Sequence, residues 1–133
     1  MNKIEHIGIA VRDLDAARQT FSQFLDREPY KEETVESEGV TTLFYQVGEV
    51  KIELLAATRP DSAIAHFIEK RGEGIHHIAF GTADVDGESE RLRQQGFTIL
   101  NDRAKAGADN MLINFLHPKS LHGVLAELCQ EKN

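Results

Sequence analysis

The chain has 133 residues, a formal net charge of −7 and a single cysteine, Cys129. That length suits one domain with one sizeable core. Its acidity argues against nucleic acid, which needs a basic surface to displace counterions, and one cysteine excludes an intrachain disulfide and cysteine-rich zinc modules.

No apolar run approaches the roughly 20 residues that span a membrane, and the start lacks the pattern of a secretory leader. A single soluble, cytoplasmic domain over residues 1–133 is therefore expected. An anionic small molecule would need a local basic patch, for which Arg59, Arg103, Lys105 and Lys119 are the candidates.

Residues 4–11 alternate as a strand, with Ile7, Ile9 and Val11 on one face and His6, Gly8 and Ala10 on the other. Asp13 then reads as an N-cap, and Leu14, Ala17, Phe21 and Phe24 form the apolar stripe of a helix over residues 15–25. Three extended segments follow, at 29–35, 40–47 and 50–57, separated by turn signals at Glu38-Gly39 and Gly48-Glu49. Asp61-Ser62 opens a short helix that runs to Lys70 and ends at Gly72-Glu73-Gly74. The pattern then restarts: a strand at 77–82, Asp84 as a cap, a helix over 85–95 ended by Gly96, and strands at 97–101, 111–117 and 123–130. The reading is α+β, with two tandem βαβββ modules at 1–60 and 75–133 joined by a helical connector at 61–74.

The restart is also visible in the residues themselves. EHIGIAVRDLD, from Glu5 to Asp15, returns as HHIAFGTADVD, from His76 to Asp86. Each copy pairs one histidine with a later glutamate, His6 with Glu53 and His77 with Glu127; the offsets, 77 − 6 = 71 and 127 − 53 = 74, differ by a short loop. Strand parity selects His77 over His76, because His77 shares its face with the small residues Ala79 and Gly81, as His6 does with Gly8 and Ala10.

Glu53 and Glu127 lie in apolar strand segments, where an isolated carboxylate is strongly penalised by desolvation. Two imidazoles and two carboxylates suit one divalent ion, Zn²⁺, Co²⁺, Mn²⁺, Ni²⁺ or Fe²⁺. The other histidines fit local roles: His66 a helix surface, His117 a turn before Pro118, His122 a loop. Cys129 shares the parity of Glu127 and reads as a small buried filler.

A tandem βαβββ chain with a histidine near each module start and a glutamate near each module end resembles the vicinal oxygen chelate superfamily. Within it, DSAIAHFIEKRGEGIHHIAF, NFLHPKS and GVLAELCQ look like the methylmalonyl-CoA epimerase family, and the similarity runs from about Ile4 to Gln130. The resemblance implies a curved eight-stranded mixed sheet with helices outside, and a metal held by His6, Glu53, His77 and Glu127. It also implies an acyl-CoA substrate and a homodimer. The expected reaction is metal-dependent epimerisation of methylmalonyl-CoA by α-proton abstraction through a metal-stabilised enolate.

Glu127 is expected to double as ligand and acid/base, with Glu53 its partner on the opposite face. Some members place a base three residues after the Gly-Val turn of the first module; here that position is Thr42. Glu36 and Glu38 lie nearby on a loop. Asn110 stands where a glycine is frequent before the FLHP segment. A glyoxalase I-like isomerase of a glutathione hemithioacetal, or a metal-free binding protein of the same fold, are the alternatives. An extradiol dioxygenase fits less well, since its facial triad uses one carboxylate.

Overall fold

The computed structural model describes residues 1–132. In chain order its elements are β1 (Lys3–Ala10), α1 (Leu14–Leu25), β2 (Lys31–Val35), β3 (Val40–Val47), β4 (Val50–Ala57), α2 (Ala63–Arg71), β5 (Gly74–Gly81), α3 (Val85–Gln94), β6 (Lys105–Ala106), β7 (Met111–Leu116) and β8 (Ala126–Glu131). A short 3₁₀ turn, Pro118–Leu121, precedes β8. The α+β class and the repeated βαβββ order are those expected from the sequence. Two compact units form: one of His6–His76, the other of Met1–Glu5 with the residues from His77 onward.

In the unit of residues 6–76 the strand order is β2-β3-β4-β1. β1 and β4 run parallel and the other neighbours antiparallel, with Gly8 opposite Glu53, Phe44 opposite Glu53 and Thr42 opposite Leu55. One face buries Val11, Leu43, Tyr45, Leu54 and Ala56 beneath Leu14, Ala17, Phe21 and Leu25 of α1. Burying one such leucine fully contributes about 1.5–3 kcal/mol, so this face holds the unit together. Asp13 caps α1 by accepting from the Ala16 N–H, as its sequence pattern implied.

The helix stripe differs from expectation at one position. Phe24 is 79% exposed, and Leu25 takes its place against the sheet. At 100° per residue Leu25 falls about 20° from Leu14 around the helix, whereas Phe24 falls about 80° away.

The other unit repeats the plan. Its strand order is β5-β8-β7-β6, with β5 and β8 parallel. Val85 and Leu92 of α3 pack on Leu116 and Leu128, and Asp84 caps α3 at the Gly87 N–H.

Two expected strands are shorter here. Residues 97–101 form only a bridge between Ile99 and Leu116, with backbone bonds from Leu100 N–H to Phe115 C=O and from His117 N–H to Thr98 C=O; beyond them, side chains bond the backbone. The Asn114 side chain accepts from Asn101 N–H and donates to Asn101 C=O, and Arg93 donates to the carbonyls of Asn101 and Asp102. The last strand begins at Ala126 rather than residue 123. The segment before it is bent by the 3₁₀ turn and by left-handed backbone at His122 (φ 54°) and Gly123 (φ 94°).

Candidate active site and metal centre

Each unit presents one histidine and one glutamate on the sheet face away from its strand-packing helix. In the unit of residues 6–76, register places His6, Gly8 and Ala10 of β1 on the same side as Glu53 and Leu55 of β4 and Phe44 and Thr42 of β3. His6 Nδ1 lies 3.1 Å from Glu53 Oε2, and both residues are buried, at 4% and 6% exposure. In the other unit His77 Nε2 lies 3.3 Å from Glu127 Oε1, at 6% and 5% exposure. The structure thus brings together each expected His–Glu pair.

The parity argument holds in three dimensions. His77 meets Glu127 and the edge of the Phe115 ring, 5.8 Å between centroids. His76 instead turns to Phe67 of α2, with centroids 4.9 Å apart, and burial pushes its pKa down to about 4. It is a packed neutral imidazole.

The donor chemistry of each pair suits a divalent ion. Each offers an imidazole nitrogen and a carboxylate oxygen within hydrogen-bonding range inside the protein, and a buried carboxylate demands either a positive partner or several donors. His6 with Glu53, and His77 with Glu127, therefore each offer two donors that could hold a metal. Where Zn²⁺ or a related ion binds such a set, positions remain for water or substrate.

Other expected positions are placed as follows. Thr42 is buried at 1% exposure on the face that carries Glu53, opposite Glu33 on β2. Glu36 and Glu38 lie exposed in the turn before β3. Arg59 braces that turn: it pairs with Asp61 and donates to the carbonyls of Glu36 and Ser37. Gly39 lets it come close, since a Cβ there would lie 2.9 Å from Arg59 Cζ on a backbone with φ +64°. Arg103, Lys105 and Lys119 are exposed. His66 is exposed on α2, His117 caps the 3₁₀ turn through Nδ1, and Cys129 is buried.

Residues that local sequence did not single out join these faces. Phe44 and Phe115 sit opposite Glu53 and Glu127 respectively. Lys31, opposite Phe44, and Glu33, opposite Thr42, are 3.1 Å apart, and the Lys31 ammonium lies 5.6 Å from the Phe44 ring centroid. Only register reveals them, since neither phenylalanine lies near its glutamate in sequence.

A duplicated βαβββ architecture with a His–Glu pair in each copy defines the class. The sequence profile described as Glyoxalase/Bleomycin resistance protein/Dioxygenase superfamily matches residues 5–115, and the chain belongs to that superfamily. Among its relatives, the ethylmalonyl-CoA/methylmalonyl-CoA epimerase of Cereibacter sphaeroides is 36% identical over 132 residues, 98% of each chain. The structure of a variant Streptomyces coelicolor methylmalonyl-CoA epimerase in complex with 2-nitronate-propionyl-CoA superposes with a TM-score of 0.93 at 41% identity, covering 97% of this chain and 94% of that one. A methylmalonyl-CoA epimerase in complex with methylmalonyl-CoA and NH4+ gives the same TM-score, identity and coverage.

Proposed function

We propose that this chain interconverts the epimers of methylmalonyl-CoA, using one divalent metal held by His6, Glu53, His77 and Glu127. The observation that carries the reading is the duplicated, buried His–Glu pair in a chain whose full-length relatives include named epimerases. The chain is an isomerase of that kind. A cytoplasmic homodimer is part of the proposal, as is a single domain with modules 1–60 and 75–133 joined by 61–74. Among the described residues no helix is long and apolar enough to cross a membrane.

Epimerisation removes a weakly acidic proton from the carbon beside a thioester and returns one to its opposite face. The metal, when bound, would supply a Lewis acid for the negative charge that develops on the thioester oxygen. Glu127 is assigned the transfer on one face, taking the proton on a carboxylate oxygen, and Glu53 the transfer on the other. Such positioned acid/base groups typically contribute 10²–10⁴-fold. Two features support this role for Glu53: it has the same setting as Glu127, and the nearby Thr42 side chain cannot serve as a carboxylate base. Gly8, opposite Glu53 and two residues from His6, adds no side chain to that face.

The test is incubation of metal-loaded protein with one epimer of methylmalonyl-CoA in deuterated water. Incorporation of deuterium at the α-carbon, with racemisation of the centre, is the expected result. Neither exchange nor racemisation, with turnover of a glutathione hemithioacetal instead, would replace this reading by the glyoxalase I-like one.

A further inference from the structure

The two copies repeat an aromatic residue as well as the His–Glu pair, and then part. Phe44 stands opposite Glu53 and Phe115 opposite Glu127, 115 − 44 = 71 residues apart, the offset of the two histidines. Beyond each phenylalanine the neighbouring segment bonds alike: Tyr30 N–H donates to Phe44 C=O, and Leu100 N–H donates to Phe115 C=O. The residue that follows differs. In the unit of residues 6–76 it is Lys31; in the other it is the neutral Asn101, whose backbone the Asn114 side chain holds.

Lys31 stands on the face that carries the His6–Glu53 pair. Cross-strand partners share a face, so Gly8, Glu53, Phe44 and Lys31 form one row across the sheet. The Lys31 ammonium lies 5.6 Å from the centroid of the fully buried Phe44 ring, and Glu33 of the same strand holds it at 3.1 Å. Strand spacing puts the Lys31 Cα roughly 10 Å from that of Glu53, a gap that a lysine side chain and a short acyl group fill end to end. The Lys31 and Glu33 side chains are 37% and 31% exposed, and so open a pair contributes little to stability. Lys31 can exchange Glu33 for another anion at small cost.

Charge says which anion. The substrate of the proposed reaction carries a free carboxylate beside its thioester, and proton removal adds negative charge to the thioester oxygen. Two glutamates neutralise a divalent ion, so the metal set supplies no net positive charge for the substrate's own carboxylate. In a chain of net charge −7, a cation on the working face is what favours such an anion.

Resting on the epimerase reading, we propose that Lys31 recognises the free carboxylate of the acyl-CoA, leaving Glu33 for it, and so selects malonyl-type thioesters over neutral acyl thioesters. The Phe44 ring keeps water from one side of the ammonium and thereby strengthens the pairing.

Titration calorimetry of the metal-loaded protein with malonyl-CoA, and with propionyl-CoA, which lacks the carboxylate, reads this selection without turnover. Lys31→Met should weaken malonyl-CoA about tenfold, equivalent to ~1.4 kcal/mol, and leave propionyl-CoA within about twofold. Glu33→Gln should tighten malonyl-CoA, because Lys31 then gives up a weaker contact. Equal losses on both ligands or no loss in Lys31→Met, or a loss in Glu33→Gln, overturn the proposal. Lys51 also lies on this face, opposite His6; a selective loss in Lys51→Met with none in Lys31→Met overturns the assignment to Lys31.

The two readings fail separately. α-Proton exchange by the wild type, with unchanged selection in Lys31→Met, overturns the Lys31 assignment alone. A selective loss in Lys31→Met, in a protein whose wild type exchanges no α-proton, overturns the epimerase reading and keeps Lys31 as a carboxylate site.

Discussion

At the scale of single residues, the site is decided by which side of a strand a group occupies. His76 and His77 are neighbours in sequence, yet one packs on Phe67 with its pKa lowered by burial and the other contacts Glu127. If His77 is a ligand, His77→Ala should cut bound metal well below one equivalent per chain, measured by metal analysis; unchanged content would sink the assignment. Glu127→Gln separates two roles: turnover should fall by roughly 10²-fold or more, while metal content falls less. Full activity in that variant would rule out proton transfer by Glu127.

His76 has its own signature. Burial holds its pKa down at about 4, below the usual imidazole value of 6.5, so the unfolded chain binds more protons between those limits and stability rises with pH there. The contribution is complete above pH 6.5 and is lost as pH falls towards 4. His76→Phe, which preserves an aromatic ring against Phe67, should flatten that part of the pH profile of urea midpoints; an identical slope would show that other groups cause it.

At the scale of elements, the same devices appear twice, 84 − 13 = 71 residues apart: Asp13 caps α1 and Asp84 caps α3, each through the N–H three residues on. Replacing either by alanine should cost about 1 kcal/mol, read from denaturant unfolding. The stripe of α1 gives a sharper contrast. Phe21 packs on the core of its unit and Phe24 is largely exposed, so Phe21→Ala should destabilise by about 2 kcal/mol or more and Phe24→Ala by no more than about 0.5 kcal/mol. Equal losses would mean that the stripe runs through Phe24 after all. At 97–101, misplaced from sequence, side chains share the bonding with backbone. The sequence reading placed a full strand there, but only Ile99 bridges to β7, and the Asn114 and Arg93 side chains bond the Asn101 backbone.

For the whole molecule, metal and folding are linked. An ion that binds only the folded chain, at 100 times its Kd, adds about 2.7 kcal/mol, which for a chain of this size is a rise in Tm of roughly 10 °C. Calorimetry with Co²⁺ or Zn²⁺, reversed by a chelator, checks this; a Tm indifferent to both would contradict a buried metal centre.

The tandem modules, the caps and the two His–Glu pairs were legible in the residues alone. Each is a local or periodic signal: alternation assigns a face, a capping residue bonds three positions away, and duplication repeats the pair at a nearly constant offset. Tertiary structure alone decided what stands opposite these residues, because cross-strand register is set by turns and packing rather than by nearby sequence. It placed Phe44 beside Glu53 and Phe115 beside Glu127, and it set Lys31 beyond the first of these rings and Asn101 beyond the second.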